Sequence, residues 1–232
     1  MLASEEQWLL ALSVMSLIGP KWDVDRLKKK GFFKKTEQVQ KPLDMNLEGD
    51  STYDSQVEAF LEIFDIDHRE KYYLILDALL EGSNFAKDMA RLMQIGKSMG
   101  KVDREKRQSF FVNGRLYLYD SFRVLMAYEF HWPKHGLRAY DIANGLMLLR
   151  IGRGLGYIED DEIDNYCQKY YDVAKEIFKD WSSFGEAAEL GRQVHCKYLS
   201  TIGTGKLLTG EKNYLSIAYY SIWKHMKVLG LT

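Results

Sequence analysis

The sequence predicts an all-α protein, a compact multi-helix bundle of roughly eight to ten helices. Apolar residues recur at helical spacing along most of the chain, several of these runs begin and end on cap signals, and no alternating strand pattern of useful length competes with them. With 232 residues, 46% of them hydrophobic, 28% charged and only 3 prolines, the chain can bury a sizeable core and is composed like a globular protein rather than a disordered one. No repeat and no long linker divides it, so residues 1–232 read as a single helical domain.

Ser4 and Gln7 form a capping-box pattern, Trp8, Ala11, Leu12 and Met15 follow at helical spacing, and Gly19-Pro20 stops the run. The apolar stretch Trp8 to Ile18 is preceded by Glu5 and Glu6 where a secretion signal needs positive charge. It also falls short of the roughly 18 apolar residues of a membrane span, so it reads as a buried first helix. Residues 21–67 are electrically polarised: Lys21 to Lys41 carries eight basic residues against three acids, and Pro42 to Asp67 eight acids and no base. Lys41 to Ser51 reads as a loop. Within the acidic block Val57, Phe60, Leu61 and Phe64 make an apolar stripe, with Glu58, Glu62 and Asp65 off it. Further helices are predicted at Tyr72 to Leu80, at Phe85 to Ile95, over Asp103 to Phe130 with a break near Asn113-Gly114, and over Gly210 to Leu229.

The segment Leu137 to Ser200 is the most regular. After His131-Trp132-Pro133-Lys134-His135-Gly136, a helix opens at Tyr140-Asp141-Ile142 and sets Gly145, Leu148, Gly152 and Leu155 on one face, where small residues admit a close neighbour. Gly154 and Gly156 end it. Glu159 and Glu162 start the next helix, with Ile158 and Ile163 placed as a hydrophobic staple, and its stripe reads Ile163, Tyr166, Cys167, Tyr170, Ala174, Ile177 and Phe178. Ser183 and Glu186 suggest a capping box for a third helix, with Phe184, Ala187, Ala188, Gly191, Val194, His195 and Tyr198 inside. The order Tyr140-Asp141-Ile142, Arg150, Gly156-Tyr157-Ile158, Asp161-Glu162, Trp181-Ser182-Ser183-Phe184 and Leu190-Gly191-Arg192 resembles the core of the bacterial family called domain of unknown function 1266, over about Leu137 to Tyr198. The resemblance implies a compact helical protein and brings no reaction, cofactor or substrate. The family pattern favours Trp where this chain has Tyr140 and often Arg where it has Asn144, so a functional site using that Arg is altered here.

The polar residues marked by the resemblance, Asp141, Arg150 and Arg192, together with Glu189, are the candidates for catalysis in an interhelical pocket. Asp141 and Arg150 are nine residues apart, which at about 100° per residue puts them on opposite faces of one helix. Asp141 with Arg192 of the third helix is the more feasible pair, and a helix-tying ion pair is favoured over catalysis. The carboxylates Glu58, Glu62 and Asp65 lack the Glu-x-x-His partner of a bundle metal site. His131 and His135 have Pro133 between them and no helical zinc geometry, and His195 reads as a hydrogen-bonded core histidine, so no metal is expected. Gly203-Thr204-Gly205-Lys206 has Leu207 where a phosphate loop needs Ser or Thr, and Gly152 to Gly156 lacks the preceding strand of a dinucleotide fingerprint, so no cofactor is expected.

Lys28, Lys29, Lys30, Lys34 and Lys35 surround Phe32 and Phe33, a pattern able to hold nucleic acid or an acidic partner, although the adjacent acidic block offsets it and the net charge of −1 gives no global pull. The chain has two cysteines, Cys167 and Cys196, each within a helical pattern, which fits a reducing cytoplasm rather than a disulfide framework. The sequence therefore points first to a cytoplasmic bacterial binding or interaction protein, such as an immunity or adaptor protein, whose partner is another protein and not a membrane. The alternatives are an enzyme using Asp141, Arg150, Glu189 and Arg192, and a nucleic-acid binder using the lysine cluster.

Overall fold

A computed structural model describes residues 12–13, 15–17, 51–99, 117–178 and 180–202. Among these residues the regular structure is entirely helical: α1 (Ser51–Ile63), α2 (Arg69–Glu81), α3 (Asn84–Ser98), α4 (Tyr117–Ala127), a 3-10 turn at Glu129–His131, α5 (Arg138–Leu155), α6 (Asp160–Ile177) and α7 (Trp181–Ile202). The all-α reading stands. The larger count of eight to ten included Gly210 to Leu229 and the first part of Asp103 to Phe130, which lie outside the described residues. Of the predicted first helix, Leu12 and Ser13 are helical, and Leu12, Met15 and Leu17 are buried.

The helix α5 is buried on every side from Ala139 to Gly152, and the other elements are laid around it. It packs against α2, α6 and α7, while α4 lies against α7 and α3. A helix enclosed in this way must be apolar nearly all round, and Ile142, Ala143, Leu146, Met147, Leu148, Leu149 and Ile151 meet that demand. Its polar side chains, Asp141, Asn144 and Arg150, are then obliged to find hydrogen bonds inside the protein. Leu155, expected on the close-packing face, is instead half exposed because it sits in the last turn, beyond the buried stretch.

Two glycines of α5 set how close its neighbours come. Tyr170 of α6 crosses Gly145 and donates its hydroxyl to the Leu76 carbonyl of α2 at 2.8 Å, and Tyr72 of α2 lies across Gly152. A β-carbon at Gly145 would collide with the Tyr170 ring. Gly145→Ala is therefore expected to destabilise the protein by about 1–3 kcal/mol through overpacking, measured by urea denaturation. A stability equal to that of the parent would show that the α5–α6 contact can relax.

The helix ends follow local chemistry. The chain leaves α5 through Gly156 in the left-handed region, φ 68°, with its N–H returned to the final turn. Glu162 accepts from the Glu159 N–H at 3.2 Å, and Ile158 and Ile163 are both buried beside this start of α6, as a capping box with a hydrophobic staple requires. The start of α7 differs from the sequence reading. Asp180, not Ser183, caps it, accepting the Ser183 N–H at 2.7 Å, so Ser183 already belongs to the first turn. Both motifs are good N-cap chemistry, and the earlier one adds Trp181 to Ser183 to the helix.

Candidate functional site

The turn between α2 and α3 is held by two charged residues of α5. Gly82, at φ 105°, lets the chain reverse, and Ser83 caps α3 by accepting from the Ala86 N–H at 3.1 Å. Arg138 donates to the carbonyls of Leu79, at 3.0 Å, and Leu80, in the last turn of α2. One turn later, Asp141 accepts from the Ser83 N–H at 3.0 Å and the Ser83 hydroxyl at 2.7 Å, just ahead of α3. The two side chains also face each other at 3.5 Å. Each charge thus meets the helix end of opposite partial charge, a cation at the carbonyl end of α2 and an anion at the N–H end of α3. Burial pushes the Asp141 carboxyl above the ordinary carboxylate range, while the Ser83 hydrogen bonds and the Arg138 charge pull it down.

Directly beside this clamp a cleft of about 750 Å³ opens between the end of α1 and helices α2, α3, α5 and α7. Its apolar wall comes from Ile63, Phe64, Ile75, Leu79, Phe85, Met89, Leu92 and Ile95. Its polar groups are Ser83, Asp141 and Asn144, the pair Tyr140 and His195, Tyr198 beside them on α7, and Asn84, Asp88 and Arg91 on α3, of which Asp88 and Arg91 form an exposed pair at 3.1 Å.

Tyr140 and His195 are brought together by the α5–α7 contact. Gly191 has no side chain to hold α7 away from Tyr140, and one turn further on His195 reaches back so that its Nδ1 lies 2.8 Å from the Tyr140 hydroxyl. Phe85 lies against the imidazole with ring centroids 4.5 Å apart and an interplanar angle of 32°, and Phe64 meets it edge-on at 6.1 Å. Burial holds His195 down at about 4, so the ring is neutral at neutral pH, and pushes the Tyr140 hydroxyl well above its ordinary range. The predicted hydrogen-bonded core histidine is present, and it also lines the cleft.

Asn144 is fully buried. It accepts from the Leu17 N–H at 2.9 Å and donates to the Tyr140 carbonyl at 2.9 Å, which ties the N-terminal segment to α5 beside the cleft. Tyr140 and Asn144 both line the cleft.

The four catalytic candidates are not brought together. Asp141 is engaged by Ser83 and Arg138, so the expected pairing with Arg192 is replaced. Arg192 instead makes a two-pronged contact to Glu189 on its own helix, at 2.7 and 3.1 Å, and Gln193 donates to the same carboxylate at 2.9 Å. Gln193 in turn accepts from Tyr128, beyond α4, so this network sits where α7 meets the α4 region. Arg150 lies on the face of α5 opposite Asp141 and donates to Ser13 at 3.0 Å, as the nine-residue spacing requires. The interaction candidates Lys28, Lys29, Lys30, Phe32, Phe33, Lys34 and Lys35 lie outside the described residues, as does Gly203-Thr204-Gly205-Lys206.

Ser83 and Arg138 are not singled out by the sequence, and Phe64 and Phe85 read there only as members of apolar helical patterns. The local signal for the first two existed: Gly82-Ser83 separates two apolar patterns as a turn and N-cap, and Arg138 and Asp141 stand at the three-residue spacing of a helical ion pair. Among the described residues no group of three or more His, Cys, Asp or Glu is placed to hold a metal ion, and no helix is long and apolar enough to cross a membrane. No curated protein and no solved structure matches the chain. Residues 60–225, well over half of the chain and all of α2 to α7, match the family described as "Protein of unknown function (DUF1266)", and the chain belongs to that family.

Proposed function

We propose that this protein is a binding module and that the cleft between α1, α2, α3, α5 and α7 is its recognition site. The observation that carries the reading is the lining of the cleft: apolar and aromatic walls around about 750 Å³, with a few convergent polar groups. That size and composition are those of pockets that enclose small organic molecules. Asp141, the one catalytic candidate at the cleft, has both carboxylate oxygens committed to Ser83 and Arg138, which favours a structural role over proton transfer. The expectation of a protein partner rests on regular caps and core stripes without a catalytic constellation, with the charge-polarised residues 21–67 as its surface, whereas the lining of the cleft supports a small ligand. Two free cysteines, Cys167 buried and Cys196 half-buried, fit a cytoplasmic setting.

Thermal-shift screening of a small-molecule library against the full chain tests the reading, with Leu92→Trp as the control. Leu92 is half-buried, lines the cleft and packs against the core beside Met89 and Met93, so an indole there narrows the cavity. A ligand at about a hundred times its Kd should stabilise the parent by about 2.7 kcal/mol. The shift should vanish in Leu92→Trp while its unliganded melting temperature stays within a few degrees of the parent. Shifts that persist in that variant, or a library without a single ligand that shifts the parent, would count against the cleft.

A further inference from the structure

We infer that the cleft selects neutral, flat aromatic molecules that carry a hydrogen-bond acceptor, and that the Nε2–H of His195 is the donor that reads the acceptor. The inference rests on the binding reading above and specifies the ligand class.

The donor follows from an accounting of protons. Tyr140 is fully buried and its hydroxyl has a single proton to place. Asn144 turns its oxygen to the Leu17 N–H and its amide to the Tyr140 carbonyl, and Nδ1 of His195, at 2.8 Å, is the acceptor in reach. Were Nδ1 protonated instead, the tyrosine proton would be left buried without an acceptor among the described residues, at a cost of the order of a lost hydrogen bond. The hydroxyl therefore donates to Nδ1, and the imidazole keeps its own proton on Nε2. His195 is 8% exposed, lines the cleft, and makes no hydrogen bond through Nε2 among the described residues. A donor so placed is satisfied by an acceptor that enters the cleft.

The ring and charge preferences follow from the walls. Phe64 and Phe85, grouped about the imidazole, offer aromatic surfaces to a flat ligand in offset or edge-on contact. Inside the cleft the imidazole and the phenol are uncharged, the Asp141 carboxylate faces Arg138, and at the rim Asp88 and Arg91 face each other. A charged ligand would lose its water and, among the described residues, meet no free counter-charge there.

Three probes test this on the full chain at neutral pH: quinoline, which has a ring nitrogen acceptor, naphthalene, which has the same shape without it, and N-methylquinolinium, which is cationic. Affinities come from titration, and the long-range proton–nitrogen spectrum of the histidine side chains reports the His195 Nε2. Quinoline should bind about tenfold or more tightly than either of the others, a difference of about 1.4 kcal/mol, and should shift the Nε2 signal. His195→Phe should bind quinoline and naphthalene alike. Tyr140→Phe, which removes the hydroxyl that fixes the tautomer, should narrow the preference and serves as the second variant should His195→Phe fail to fold. Equal affinity for quinoline and naphthalene in the parent, or a preference that survives both substitutions, overturns the ligand class and leaves the cleft as a binding site. Failure of all three probes to bind overturns the ligand class as well, and the library screen then decides the binding reading separately.

Discussion

Asp141→Ala is expected to destabilise the protein by about 3–5 kcal/mol, the range for removing one partner of a buried ion pair. Asp141 is 1% exposed and does three things at once: it accepts two hydrogen bonds from Ser83, it faces Arg138, and it supplies an anion at the start of α3. Without it the Ser83 N–H and hydroxyl lose their acceptor, and Arg138 is left with the carbonyls of Leu79 and Leu80 but no counter-charge. Asp141→Asn keeps one acceptor for Ser83 and should cost less, about 1–3 kcal/mol. Chemical denaturation should show a lower midpoint at unchanged slope for both variants. A double-mutant cycle with Ser83→Ala should give a coupling of about 0.5–3 kcal/mol, since the two side chains touch. If Asp141→Ala were as stable as the parent yet lost quinoline affinity, the clamp would not be its role and the residue would belong to the ligand.

How much of this was legible in the sequence depends on the range of the interaction concerned. Of the predicted stripe Ile163, Tyr166, Cys167, Tyr170, Ala174, Ile177 and Phe178, helical geometry alone places Ile163, Cys167, Tyr170, Ala174 and Phe178 in the core, whereas Tyr166 and Ile177 are only partly buried. The opposite placement of Asp141 and Arg150 follows from the same arithmetic. Their partners do not, because Ser83 is 58 residues from Asp141 and Ser13 is 137 residues from Arg150, and nothing local encodes which distant hydroxyl a buried charge will meet. The cleft is less legible still. It is lined by Phe64 just after α1, Phe85 in the first turn of α3 and His195 within α7, and each reads in its own segment as an ordinary core residue. The capping of α7 shows a local limit too: Ser183 and Glu186 satisfy a capping-box pattern, but Asp180 three residues earlier is an equally good cap, and the longer helix buries Phe184 either way.

The second large effect expected is a loss of stability with acid that His195 carries. Burial lowers its ionisation from the ordinary 6.5 to about 4, so between those values the unfolded chain binds a proton that the folded protein does not. Stability from this group is complete above pH 6.5 and is lost progressively as the pH falls to about 4, where the loss levels off. A displacement of this size corresponds to about 3 kcal/mol. Physically, protonation would put a cation between Phe64, Phe85 and the Tyr140 ring, and would convert Nδ1 from the acceptor of the tyrosine proton into a donor. Asp141 acts in the opposite sense: its carboxyl is held above the ordinary 3.8, so the folded state takes up that proton first and gains stability as the pH falls through its range. Comparing the parent with His195→Phe removes the Asp141 contribution, which both proteins share. Denaturation series at steps between neutral pH and pH 4 should show the parent losing about 3 kcal/mol more than the variant across the window. Parallel curves for the two proteins would mean that His195 is reached by water and titrates normally, and the proton accounting that makes its Nε2–H a fixed donor would fall with it.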